Sequence, residues 1–221
     1  MIGIQPPGTP SMGEAFLKAF EASGEKYLLD CALAVGDALA MSQLESGGWD
    51  YRFDFDAKER WYRQVDRGKL TFTETTRRRN VTTFDDDNSQ SAMRLLMRVD
   101  KLLDGDDADI HHAVTFGLEA FLRVQYPNGA WPQRWTTFPG ADAYPVLKAR
   151  YPDSWSWTWP EVDYRDFYTF NDNAIADVID VMLEAHRTYS DQRYLDAALR
   201  AGDFMIKAQM PDPQPTWAQQ Y

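Results

Sequence analysis

Two short stretches hold most of the oxygen chemistry in this sequence. Thr83-Phe84-Asp85-Asp86-Asp87 and Thr169-Phe170-Asn171-Asp172-Asn173 read as one motif repeated 86 residues apart, with polar side chains at its last three positions. Carboxylate and amide oxygens suit a hard cation such as Ca2+ or Mg2+, and their spacing is not that of an EF-hand loop. Each stretch also opens an apolar helical pattern, so an Asp or Asn here has the simpler reading of a helix cap. Three consecutive aspartates exceed what a cap needs and repel one another. That repulsion becomes tolerable if a cation or a basic group sits among them.

A second motif repeats with a similar period. Gln43 leads through Gly47 and Gly48 to Trp49, Gln125 leads through Asn128 and Gly129 to Trp131, and Gln209 leads through three prolines to Trp217, the glutamines lying 82 and 84 residues apart. A tryptophan after such a turn is most simply a hydrophobic plug, and alternatively a platform for a ring-shaped ligand. Other reaction chemistries find no support. There is no Gly-rich phosphate cradle, no G-x-S-x-G nucleophile turn and no H-E-x-x-H pair. His111, His112 and His186 fall within helical patterns away from the acidic stretches, and Cys31 lies on an apolar face. Both sets read as structural or solvated. Arg77, Arg78 and Arg79 form a basic run just before the aspartates, within reach of an anionic ligand.

The elements that position these motifs follow from apolar periodicity. Ala92, Leu95, Leu96, Val99, Leu102 and Leu103 follow the first acidic stretch at the spacing of one helical face, as Ile175, Val178, Ile179, Met182 and Leu183 follow the second. Each glutamine ends a further helical pattern, so the unit is a helical hairpin, expected over residues 11–43, 85–125 and 171–209. An antiparallel hairpin brings the start of its first helix and the turn after its second to one rim. That rim is the expected site. The links 49–84 and 131–170 are long, and the second is rich in aromatics and proline, which predicts an ordered wall rather than a solvated loop. A closed ring of three hairpins buries more of each apolar face than an open solenoid. The expected fold class is all-α, an α/α toroid of three helical hairpins, incomplete or small, with long rim loops and a single domain spanning 1–221.

Composition narrows the partners. In 221 residues, 44% hydrophobic and 14% aromatic content fills a substantial core, and a net charge of -11 argues against nucleic acid or an anionic membrane surface. No apolar run approaches the roughly 20 residues of a membrane span. The lone cysteine excludes an internal disulfide and a multi-Cys metal site. No basic and apolar leader opens the sequence, and the chain is expected to be monomeric.

Two sequential runs, 125–133 (Gln-Tyr-Pro-Asn-Gly-Ala-Trp-Pro-Gln) and 168–174 (Tyr-Thr-Phe-Asn-Asp-Asn-Ala), resemble the motif pair of the family 10 polysaccharide lyases, pectate lyases with an α/α toroid fold. Thr83 to Asn88, the opening Gly8 to Gly13 and the ending Gln214 to Gln220 are similar to that family as well. The resemblance implies β-elimination of polygalacturonate, with Ca2+ bridging enzyme carboxylates and the uronate and an arginine taking the C5 proton. It implies metal ligands among Asp85, Asp86, Asp87 and Asp172. Substrate contacts are expected from Trp131, Gln133, Arg134, Asn171, Asn173 and Arg79. The family's arginine is expected beyond Tyr221, in a C-terminal segment that this chain lacks; Arg134 and Arg165 are the alternatives within it. The Asp-rich run departs from the family, with three acids where better-known members carry Asp and Asn. The expected function is a secreted or periplasmic Ca2+-dependent pectate lyase acting on a homogalacturonan-like polyuronate. The competing readings are an inactive carbohydrate-binding toroid, and a glycoside hydrolase using an acid pair such as Asp87 with Asp172.

Overall fold

A computed structural model describes residues 1–56, 64–69, 79–140, 146–154, 158 and 168–219. Among these residues six α-helices form three antiparallel hairpins: α1 (Thr9–Ser23) with α2 (Lys26–Ser42), α3 (Asn88–Leu102) with α4 (Ala108–Val124), and α5 (Ala174–Tyr189) with α6 (Gln192–Ala208). Local chemistry sets most of these boundaries. Pro10 sits in the first turn of α1, where its missing N–H costs nothing, and Gly24 ends the helix at φ 72, donating to the Phe20 carbonyl. The Asp107 side chain caps α4 by accepting from the Asp109 and Ile110 amides, both at 3.0 Å.

The hairpins stack in sequence, α1 on α3 on α5 in one layer and α2 on α4 on α6 in the other. No comparable packing joins the first hairpin to the third among the described residues. The ring favoured by the burial argument is therefore an arc, the incomplete form of the toroid. Leu95, Leu96, Val99, Val114, Phe121 and Val178 lie at the centre of one continuous core. Each such side chain contributes about 1.5–3 kcal/mol on leaving water.

The repeated Gln and Trp form the joints of this arc. The Gln43 amide donates to Gly47 O of its own turn at 2.9 Å and to Ala113 O of the next hairpin's α4 at 2.8 Å. Gln125 does the same, to Gly129 O and to Ala197 O of α6, each at 2.9 Å. Every motif tryptophan donates its indole N–H to a last-turn carbonyl of its own helix: Trp49 to Leu39, Trp131 to Phe121 and Trp217 to Met205. Last-turn carbonyls lack the backbone N–H of a following turn, which explains why a Trp recurs after a Gln that ends a helix. The third copy differs. Gln209 reaches the Pro215 carbonyl of its own turn, and Trp217 is 46% exposed where Trp49 and Trp131 are 1% exposed.

Two short antiparallel ribbons, absent from the sequence reading, tie the rim together. β1 (Ile2–Gly3) pairs with β2 (Arg52–Phe53), and β3 (Thr82–Thr83) pairs with β4 (Arg134–Trp135). Two-residue strands leave no periodic signal. In the aromatic link after Trp131, residues 141–145, 155–157 and 159–167 lie outside the described residues, and with them the expectation of an ordered wall there.

Candidate functional site

The first acidic stretch is held from behind by an aromatic anchor. Phe84 is fully buried, edge-on to Phe121 at 4.8 Å and tilted against Trp135 at 4.5 Å, and its amide donates to Gln133 O at 2.8 Å. With Phe84 fixed, Asp85 to Asp87 form a single 3-10 turn in which Asp86 and Asp87 both adopt left-handed backbone, at φ 49 and 56. The second stretch repeats this behind Phe170, which stacks on Phe204 at 5.8 Å, with Asp172 and Asn173 at φ 53 and 56. Asp and Asn are the non-glycine residues that tolerate this region best, yet two in succession at each of two sites is strained backbone held by its surroundings. Neither Asp87 nor Asn173 caps its helix with its side chain, contrary to the sequence expectation. The left-handed turn aims these side chains away from the helix amides.

The two turns pack side by side and bring oxygens of Asp85, Asp86 and Asp172 within 4.8 Å of one another. Ligand oxygens on one Ca2+ lie 2.3–2.6 Å from it, hence no more than about 5 Å apart, so this donor set fits a hard cation. Asn171 donates to Asp172 and keeps its own Oδ1 buried without a partner among the described residues. The two neighbouring acids and burial raise the Asp86 carboxyl above the usual range, with burial the larger cause. Asp87, expected among the ligands, is elsewhere. Its carboxylate is paired with Arg94 at 2.7 Å and is not part of the cluster.

Two further side chains converge on one oxygen of Asp85. Tyr51 donates its hydroxyl to Asp85 Oδ2 at 2.6 Å, with Asp86 Oδ2 at 3.4 Å, and Arg134 donates to the same Asp85 oxygen at 2.9 Å and to the Tyr51 hydroxyl at 3.2 Å. β3–β4 pairing sets this contact, because Thr83 is registered opposite Arg134 and Asp85 follows two residues later. Burial and the Asp85 hydrogen bond push the Tyr51 hydroxyl far above its ordinary value, so it stays protonated and donating. Burial alone would lower the Arg134 pKa, but the hydrogen bonds to Asp85 and Tyr51 outweigh it and the net shift is upward. The Asp85 carboxylate and the Tyr51 hydroxyl thus favour the charged form of Arg134. Sequence reasoning missed Tyr51, which lies outside both repeated motifs.

The remaining expected residues scatter around this centre. Arg79 pairs through Nε with the buried Asp50 at 2.6 Å, next to Tyr51 in sequence, and stays half exposed. Gln133 is buried with Oε1 unpartnered among the described residues, and Asn173 is exposed at the start of α5. Trp131 is sealed within the hairpin joint, so the plug reading replaces the substrate platform. Arg165, Arg77 and Arg78 lie outside the described residues. His111 sits beside the buried Asp100 near the far end of α3, at 3.0 Å.

Comparison with known proteins bears on this geometry. The family model for pectic acid lyase matches residues 43–191, spanning the first Gln–Trp turn and both acidic stretches. Among solved structures, a family 10 polysaccharide lyase from Cellvibrio cellulosa matches 84% of this chain with 22% identity and a TM-score of 0.55. An aspartate-to-alanine mutant of that lyase, solved in complex with trigalacturonic acid, matches equally. Cellobiose 2-epimerase from Bacillus thermoamylovorans matches 100% of this chain and 46% of its own, at 12% identity and a TM-score of 0.60. This chain spans about half the length of the lyase chains, 50% in each case. No curated protein sequence matches. With a family model covering well over half of its residues, the chain belongs to the pectic acid lyase family.

Proposed function

We propose that the rim is a calcium-dependent site for a polygalacturonate-type polyuronate, working as part of a pectate lyase. The observation that carries this reading is the convergence of Asp85, Asp86 and Asp172 from two repeats onto one small volume beside a locked arginine. Three acids so close would repel a uronate. A divalent cation held by their oxygens would offset two of the three negative charges, with Arg134 beside Asp85 offsetting the third, and, when bound, would stabilise the negative charge that develops as the uronate loses its C5 proton. Arg134 and the half-exposed Arg79 offer cationic donors for further uronate carboxylates. Asn173, exposed at the start of α5, is the neutral partner for sugar hydroxyls, while the buried Gln133, expected as a substrate contact, is closed to them. In β-elimination a base removes the C5 proton, the C4–O bond breaks, a C4=C5 bond forms and the leaving oxygen takes up a proton. Arg134 is held charged and does not serve as that base.

The same locked charge favours one second reading, a toroid that binds polyuronate without eliminating it. Polygalacturonate incubated with the chain in millimolar Ca2+ and in EDTA separates the two. A calcium-dependent rise in ultraviolet absorbance from the new C=C bond supports the lyase; calcium-dependent binding without that rise supports the binding module. New reducing ends without absorbance would indicate hydrolysis and defeat both. The acid pair for hydrolysis has already lost Asp87 to Arg94.

A further inference from the structure

Arg94 lies on α3 and joins the first acidic turn, through Asp87, to the start of the helix that follows the second, through Asp177. One guanidinium nitrogen donates to Asp87 Oδ1 at 2.7 Å, fixing the residue that directly follows Asp86. The other donates to the backbone carbonyl of Asp177 at 3.1 Å, in the first turn of α5, and stands 3.7 Å from the Asp177 carboxylate. One turn of helix earlier, Gln90 makes a parallel bridge from Phe84 O at 2.7 Å to Ala174 O at 3.5 Å. Two α3 side chains four residues apart therefore link the first acidic turn and its Phe84 anchor to the first turn of α5, which directly follows Asp172 and Asn173. Arg94 is the stronger of the two, since it is charged and forked and its bonds are shorter across the gap.

We infer that Arg94 is a positioning residue that sets the separation of Asp86 and Asp172, and so the affinity of the site for a divalent cation. Without it, the Asp87 and Asp177 carboxylates face each other with no cation between them, and their repulsion drives the two turns apart. The expected ligand role of Asp87 then becomes a different one: its carboxylate is the handle by which the first turn is held. This inference rests on reading Asp85, Asp86 and Asp172 as a calcium site.

The test is calorimetric titration of the folded chain with CaCl2 alone, with helix content followed by circular dichroism. Arg94→Ala is expected to weaken calcium binding at least tenfold with helix content retained. Arg94→Lys, which keeps a charge but not the fork, is expected to lose less. Removing the facing charge, as Asp177→Asn in the Arg94→Ala background, is expected to restore part of the affinity. That rescue distinguishes positioning from general stability. Should wild type bind calcium and either folded Arg94 variant bind it equally well, the positioning role is overturned. A wild type that binds no calcium overturns the site reading itself.

Discussion

Asp86 and Asp172 occupy the same place in two copies of one left-handed turn, at φ 49 and 53, and the packing of those turns points their carboxylates at a common volume. The repeat thus makes its site at a seam between two units. Strain and like-charge repulsion coincide there, a combination that a folded protein keeps only where something offsets it.

Asp172 is the exposed member of that cluster, so its loss should spare the fold. Asp172→Ala is expected to reduce calcium affinity at least tenfold by calorimetry, because water replaces an anionic oxygen poorly at a hard cation. In EDTA the same variant should melt no lower than wild type, since one repelling charge has gone. Unchanged calcium affinity would remove Asp172 from the site.

Arg134 is predicted to matter for the ligand more than for the proton. Arg134→Ala deletes a charge-assisted contact worth about 1.5–3 kcal/mol, so polyuronate binding in calcium should weaken by roughly 10- to 100-fold. Arg134→Lys should recover only part of it, because a lysine cannot reproduce the fork. If the chain eliminates, Arg134→Ala should leave the pH dependence of the remaining rate unshifted. A shifted profile would restore Arg134 as a candidate base.

The helices and joints were legible in sequence because they repeat. Apolar spacing gave the hairpins to within a few residues, and the Gln–Trp period marked their ends, although hydrogen bonding to Ala113 and Ala197 carbonyls could not be read from it. The cluster was legible as residue types, since Asp85, Asp86 and Asp172 carry the motif. Asp87 was not separable from them, because its partner Arg94 lies seven residues along a helix and meets it only once the turn is left-handed. Tyr51 was invisible for a similar reason. It reaches Asp85 across 34 residues, from a segment with no periodic signal.

Gln125 provides a direct test of the joint. Gln125→Ala would leave the buried Gly129 carbonyl without its side-chain donor, remove the second hydrogen bond to the Ala197 carbonyl inside α6 and take away the acceptor of Arg200. One unsatisfied buried acceptor costs about 1–3 kcal/mol, so chemical denaturation should show a loss of about that size. Gly129→Ala should be at least as damaging. Its φ is 95, and an added Cβ would collide with the Arg200 carbonyl. A loss below about 0.5 kcal/mol for Gln125→Ala would show that the hook is dispensable.

Glu184 on α5 yields a prediction in pH. Burial raises its carboxyl above the usual range; Arg94 pulls the other way, and Glu14 adds to the rise. A carboxyl raised in the folded state holds its proton longer there than in the unfolded chain, so unfolding releases a proton between the two pKa values. Stability from this group is therefore fully present below the ordinary Glu value, about 4.3, and is lost as pH rises through the folded value. Glu184→Gln cannot ionise and escapes that loss. Melting temperatures of the two proteins should coincide near pH 4 and diverge as pH rises, with Glu184→Gln the more stable at neutral pH. Equal melting temperatures across that range would mean that Arg94 and Arg98 fully compensate the buried charge.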